Sequence, residues 1–171
     1  MVSVVYEAPD TIEGAVTLLA GSDIPANVLA GGTDLIIQTR ASRDAERLLV
    51  DVKKIPGMSD ANLVDGALEL GPSMSCAEFT ARENIRAVYP GLVEAASLIG
   101  STQVQGRASV GGNLCNSSPA ADTIPALIVN SAECVIVGPG GERTVAVEDF
   151  VTGVGANCME KGELLKLIRV P

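Results

Sequence analysis

The chain has 171 residues, a formal net charge of -9, 47% hydrophobic residues, two Tyr, two Phe, four Cys, and neither Trp nor His. That length buries one core or two small lobes sharing one, and the acidic balance with so few aromatics excludes phosphate-backbone or stacking recognition of nucleic acid. Without histidine there is no Ser-His-Asp triad, no Cys-His pair and no His-ligated zinc.

In chain order, Val2 to Tyr6 reads as a short strand. Asp10-Thr11-Ile12-Glu13 reads as a capping box with Asp10 at the N-cap, followed by Ile12, Ala15, Val16 and Leu19 at helical spacing and Gly21 as the stop. Asn27 to Ala30 is a buried strand running into Ala30-Gly31-Gly32-Thr33-Asp34, and Leu35 to Arg40 is helical. Arg47 to Val52 is a third strand, so the opening is β-α-β-α-β with a small parallel sheet.

The pattern then turns antiparallel. Asn62 to Val64 and Ala67 to Leu70 flank Asp65-Gly66, a two-residue hairpin signal. Ser75-Cys76-Ala77-Glu78 is a second capping box, opening a helix toward Arg82. Pro90 starts a helix whose apolar face is Leu92, Ala95, Ala96 and Ile99, ended by Gly100. A long polar loop is expected next, centred on Ser109 to Asp122, then a short helix through Val129. Cys134 to Val137 pairs with Arg143 to Val147 across a Gly-Pro-Gly-Gly turn, and Leu164 to Val170 is the last strand. The expectation is an α+β fold of two lobes, 1–54 and 55–171: a small parallel β/α lobe and a larger antiparallel lobe with helices.

Two glycine segments stand out, Ala30-Gly31-Gly32-Thr33-Asp34 and Ser109-Val110-Gly111-Gly112-Asn113. Paired glycines let backbone N–H groups form a concave anion site. Either pair alone reads more often as a plain turn than as a binding site, and Asp122 alone more often as a helix N-cap. A Rossmann site is disfavoured, since no G-x-G-x-x-G follows a strand, and no phosphate-loop G-K-[ST] occurs. The four cysteines, Cys76, Cys115, Cys134 and Cys158, have no C-x-x-C and read as buried thiols of a reducing cytosol. No basic-then-apolar leader opens the chain, and no apolar run is long enough to span a membrane.

Both glycine motifs in this order, with Pro119-Ala120-Ala121-Asp122 behind the second, resemble the FAD-binding subunit or domain of the molybdenum hydroxylases, the family of xanthine dehydrogenase and the aerobic carbon monoxide dehydrogenase medium subunit. The resemblance runs over nearly the whole chain, from Tyr6-x-x-Pro9 through Asp65-Gly66, Ile99-Gly100 and Asp149-Phe150 to Gly162-Glu163-Leu164-Leu165 and Ile168-Arg169-Val170-Pro171. It implies a two-lobed PCMH-type fold with FAD extended between the lobes. Val28, Leu29, Ala30, Gly31, Gly32, Thr33, Asp34 and Leu35 would cradle the pyrophosphate, and Ser109, Val110, Gly111, Gly112 and Asn113 would supply a second set of N–H groups. Asp122 matches a carboxylate on the sugar or ribityl hydroxyls, while Ile99 and Leu165 match apolar residues at the flavin or are core packing.

The resemblance also implies partners: a large subunit binding the molybdenum cofactor and a small 2Fe–2S subunit. These would feed electrons to a flavin that passes them to an acceptor such as NAD, quinone or oxygen. No catalytic acid or base and no metal ligand is assigned. A flavin-free assembly module and a stand-alone flavin oxidoreductase of the same fold are the alternatives. The chain departs from the family where Gln103-Val104-Gln105-Gly106 replaces Gln-Ile-Arg-Asn, with Arg107 two places later. The family's further C-terminal domain is expected to be absent.

Overall fold

The computed structural model describes residues 3–43 and 46–171, so Val2 of the expected first strand lies outside the described residues. Strand β1 (Ser3–Glu7), helix α1 (Ile12–Gly21), strand β2 (Ala26–Leu29), helix α2 (Leu35–Ala41) and strand β3 (Glu46–Asp51) follow in turn. They form a three-stranded parallel sheet in the order β1-β3-β2, with Val5 opposite Leu48 and Val28 opposite Val50. The central strand β3 is buried over its last four residues, which is why it reads as an unbroken apolar run. Ala15 and Leu19 of α1 pack in one cluster with Leu48 and Val50.

The N-cap of α1 is Thr11 and not Asp10. Thr11 is extended, and its hydroxyl accepts from the Gly14 amide at 3.1 Å. No reciprocal box forms, because the third residue after Thr11 is Gly14, which has no side chain to reach back; the cap is the single Thr11 bond. Gly21 is the last helical residue and not the stop beyond it.

The second sheet is built from β4 (Ala61–Val64) and β5 (Ala67–Leu70), then from strands after a run of helices. Asp65 and Gly66 both have positive φ, as a type I′ turn requires. The helices are α3 (Cys76–Thr80), α4 (Glu83–Val88), α5 (Pro90–Ser97), α6 (Thr102–Gln105), α7 (Val110–Asn116) and α8 (Thr123–Val129). The Ser75 hydroxyl caps α3 by accepting from the Glu78 amide at 3.2 Å and donating to its carboxylate at 2.9 Å. Strands β6 (Glu133–Gly138) and β7 (Gly141–Ala146), helix α9 (Val147–Phe150), strands β8 (Val151–Gly153) and β9 (Ala156–Asn157), and strand β10 (Leu164–Val170) complete the chain. The five-stranded antiparallel sheet has the order β4-β5-β10-β6-β7, which puts the last strand in its centre.

The expected long polar loop is instead largely helical. Ser109, extended, accepts from the Gly112 amide at 3.0 Å and so starts α7. Val110 and Leu114 are buried in the larger apolar cluster, and that packing holds a helix which propensity alone would not.

Two apolar clusters result. The larger is built on β5, β6, β10 and the helices α3 to α9. The smaller joins α1 and β3, and also takes Ile55, Met58 and Leu164 from beyond residue 54.

Candidate functional site

A cavity of about 940 Å³ opens where the turn after β2, the start of α7 and the entry to β10 meet. Of the residues singled out in sequence, it is lined by Val28, Ala30, Gly31, Gly32, Thr33, Asp34, Leu35, Ser109, Gly111, Gly112, Asn113 and Leu165. The two glycine segments, far apart in the chain, therefore share one wall.

The four glycines do different things. Gly32 has φ +78, a left-handed conformation that favours glycine. At Gly31 a Cβ would lie 1.9 Å from the Arg107 carbonyl oxygen, and at Gly111 it would lie 2.3 Å from Pro72 Cβ. Those two positions need glycine for close packing of backbone on backbone. At Gly112 the one atom a Cβ would meet is Ser109 Oγ at 2.9 Å, so this glycine keeps open space at the cavity wall.

Leu29, Ile99, Val110 and Asp122 do not line the cavity. Leu29 is buried, and Ile99 and Val110 belong to the larger cluster. Asp122 is exposed and precedes α8 without a side-chain cap bond. The cap of α8 is Asn113, whose Oδ1 accepts from the Thr123 hydroxyl at 2.6 Å and its amide at 3.3 Å. Asn113 thus ties the middle of α7 to the start of α8 beside the cavity.

Several lining residues carried no signal in sequence. Ser73 is buried, and its hydroxyl has no hydrogen-bond partner among the described residues. Its only local marker is Gly71-Pro72 ahead of it, where a Cβ on Gly71 would sit 2.2 Å from the Gly57 carbonyl oxygen. Gln38 of α2 donates to Asn116 of α7 at 2.8 Å, and Lys161 donates to the Ser22 carbonyl at 2.9 Å, so both join the sides of the cavity. These pairs are far apart in sequence, and no pattern could have found them.

The electrostatics of the wall are unusual for an anion site. Among the described residues, Asp23, Asp34, Glu160 and Glu163 line it against the single cation Lys161. Glu163 is held below the usual carboxylate range by hydrogen bonds from Arg143, both oxygens being engaged at 2.8 Å. At the starts of α2 and α7, which border the cavity, the Ile36 amide is taken by the Gly32 carbonyl at 3.1 Å and the Gly112 amide by the Ser109 hydroxyl at 3.0 Å, while the N–H groups ahead of them have no acceptor within their own helix. Cys115 also lines the wall; burial first, and then the Cys158 thiol, push it up to about 12, so it is a neutral apolar group.

Behind the first glycine segment runs a polar relay. The Tyr6 hydroxyl donates to Asp51 Oδ2 at 2.7 Å, the Lys53 ammonium to Asp51 Oδ1 at 2.8 Å, and the same ammonium to the Ala30 carbonyl at 2.9 Å. Burial would raise the Asp51 carboxyl, but the bonds from Lys53 and Tyr6 outweigh it and hold it below its ordinary value. No group of three metal-ligating side chains occurs among the described residues, and no helix is long and apolar enough to cross a membrane.

Comparison with known proteins gives a consistent picture. The model of the FAD binding domain in molybdopterin dehydrogenase matches residues 2–171. The chain is 32% identical over 167 residues to the xanthine dehydrogenase FAD-binding subunit of Escherichia coli O157:H7, covering 97% of this chain and 57% of that protein. It is 30% identical over 166 residues to the carbon monoxide dehydrogenase medium chain of Hydrogenophaga pseudoflava, covering 97% of this chain and 58% of that one. Among solved structures, carbon monoxide dehydrogenase from Hydrogenophaga pseudoflava matches with a TM-score of 0.93 at 30% identity, over 99% of this chain and 59% of that one. The chain therefore spans somewhat more than half the length of each of these relatives.

Proposed function

The chain belongs to the family of FAD-binding domains of molybdopterin dehydrogenases, and from that premise we propose that it is the flavin-carrying electron-transfer component of a molybdenum hydroxylase-type dehydrogenase. Its cofactor is FAD. The observation that carries the proposal is the meeting of two glycine segments, both named from sequence, on one wall of a cavity at the upper end of the ligand-sized range. Three features fit the group. Ser73 presents a buried hydroxyl that lacks a partner, Gly112 leaves space that any side chain would enter, and the backbone supplies N–H groups where few cations are present.

In this reading residues 30–35 and 109–113 hold the pyrophosphate, through those backbone amides that the start of α7 does not itself use, since Ser109 already takes the Gly112 and Asn113 amides; the Thr33 and Ser73 hydroxyls are further donors. Val28, Leu165 and Cys115 form the apolar wall that excludes water. Leu29, Ile99 and Val110 support that wall from behind, and Asp122 stands outside it. Bound FAD supplies the redox chemistry, taking up electrons and releasing them to an acceptor. The protein's part is to bind, orient and shield the group.

The relatives named as FAD-binding subunits and medium chains support partners of the same kind, a molybdenum-cofactor subunit and an iron–sulfur subunit from which electrons arrive. The test is an equilibrium titration of the chain with FAD, followed by flavin absorbance and fluorescence, alongside Gly112→Val. Saturable binding by the parent, weakened at least tenfold in the variant with its fold retained by circular dichroism, is the expected result. Parent protein that binds no FAD, or a variant that binds as well as the parent, contradicts the assignment.

A further inference from the structure

Resting on the reading of the cavity as the FAD site, we infer that Lys53 is a positioning residue for that site, acting from behind the wall through the Ala30–Gly31 peptide. Lys53 does not line the large cavity. It lines a smaller recess of about 330 Å³ on which Arg107 also borders, whereas Ala30 and Gly31 line the large one. Its ammonium donates to the Ala30 carbonyl at 2.9 Å. None of the described peptide bonds is cis, and in a trans peptide the C=O and the following N–H point in opposite directions. A cation holding the Ala30 oxygen from the recess therefore turns the Gly31 N–H away from it, toward the FAD cavity. The same charge polarises the peptide and makes that N–H a stronger donor.

Two further constraints make the device rigid. Gly31 is pressed against Arg107, whose carbonyl oxygen leaves no room for a Cβ, so the peptide cannot drift in that direction. Lys53 is itself held by Asp51, which accepts from the ammonium at 2.8 Å and from the Lys53 amide at 3.0 Å, while Tyr6 occupies the other carboxylate oxygen at 2.7 Å. The ion pair with Asp51 cancels most of the long-range field of Lys53, so its contribution to anion binding is orientation rather than net charge. In a wall with four carboxylates and one lysine, correctly aimed amides matter more than they would in a basic pocket.

The experiment uses this chain with Lys53→Met, Lys53→Arg and Asp51→Asn, reading FAD affinity by titration and the Gly31 and Gly112 amide resonances by 15N NMR. Loss of a charged hydrogen bond that acts through one peptide is expected to raise the FAD Kd about tenfold in Lys53→Met. The FAD-induced shift of the Gly31 amide is expected to collapse while that of Gly112 persists, a selectivity that general destabilisation does not produce. Lys53→Arg is expected to recover most of the affinity. Asp51→Asn is expected to weaken binding, because it releases the lysine. An Asp51→Asn variant that binds FAD more tightly shows Lys53 acting as a bare charge and overturns the inference. A Lys53→Met variant within twofold of the parent, or one losing both amide shifts alike, also overturns it. Parent protein that binds no FAD fails the functional reading itself, whatever the variants do.

Discussion

At the scale of single residues, the most informative side chain is Ser73. A buried hydroxyl without a partner is a cost to the free protein, because water has been removed and nothing replaces it. If that group waits for FAD, Ser73→Ala moves two measurements in opposite directions. The thermal midpoint of the free protein is expected to hold or rise, by the equivalent of about 1 kcal/mol at most, while FAD affinity falls by roughly three- to tenfold. A variant with a lowered midpoint and unchanged affinity would assign Ser73 to folding alone. Apart from Gly71-Pro72 ahead of it, nothing in the sequence marks this residue, since its role depends on which backbone the chain lays over it.

Asp51 gives a pH dependence whose sign is set by its depressed pKa. A carboxyl lowered in the folded state stabilises the fold above its unfolded pKa, near 3.9, and that stability is lost as pH falls through the folded value. Burial acts against the shift and the bonds from Lys53 and Tyr6 produce it, so the relay loosens only below about pH 4. Urea denaturation between pH 3 and 7 is expected to show a shallower acid limb in Asp51→Asn than in the parent. The remaining slope includes Glu163, which Arg143 lowers in the same sense.

At the scale of elements, the start of α7 separates what the chain's residue pattern reveals from what it hides. Ser109-Val110-Gly111-Gly112 has the turn residues of a loop, and a loop is the natural expectation. It is a helix because Val110 and Leu114 find the larger cluster and because Gly111 admits Pro72 at a distance no Cβ allows. Gly111→Ala is therefore expected to cost about 1–3 kcal/mol of stability as an overpacking change. Gly112→Ala is expected to change stability by no more than about 1 kcal/mol, since it gains helix propensity while crowding only the Ser109 hydroxyl. Chemical denaturation of the two variants side by side checks the contrast, and equal losses would contradict it. By comparison, the hairpin at Asp65-Gly66 was legible because two positive φ angles in a row demand that residue pair. The β8–β9 hairpin was not, because strands of two and three residues carry no periodicity.

At the scale of the whole molecule, the two larger sheets are joined through β10, while β8 and β9 pair as a small separate hairpin. Leu164 enters the small cluster with α1 and β3, whereas Leu165, Ile168 and Val170 enter the large one. The apolar packing thus crosses the division that a strand count places near residue 54. Leu164→Ala is expected to cost about 2–5 kcal/mol. It should lower the melting of both sheets together, and a two-step transition would show that they are independent. The fold class and the glycine segments were legible because they rest on local periodicity and turn chemistry. Ser73, Gln38, Asn116 and Lys161 join the site through tertiary contacts alone, which is why sequence left them out.

The most direct measurement is a crystal structure of this chain with FAD. Density for the pyrophosphate is predicted within hydrogen-bond reach of the Gly31, Gly32 and Gly111 amides, with the Ser73 hydroxyl now partnered. Pyrophosphate density anywhere else on the molecule, with those amides facing water, would contradict it.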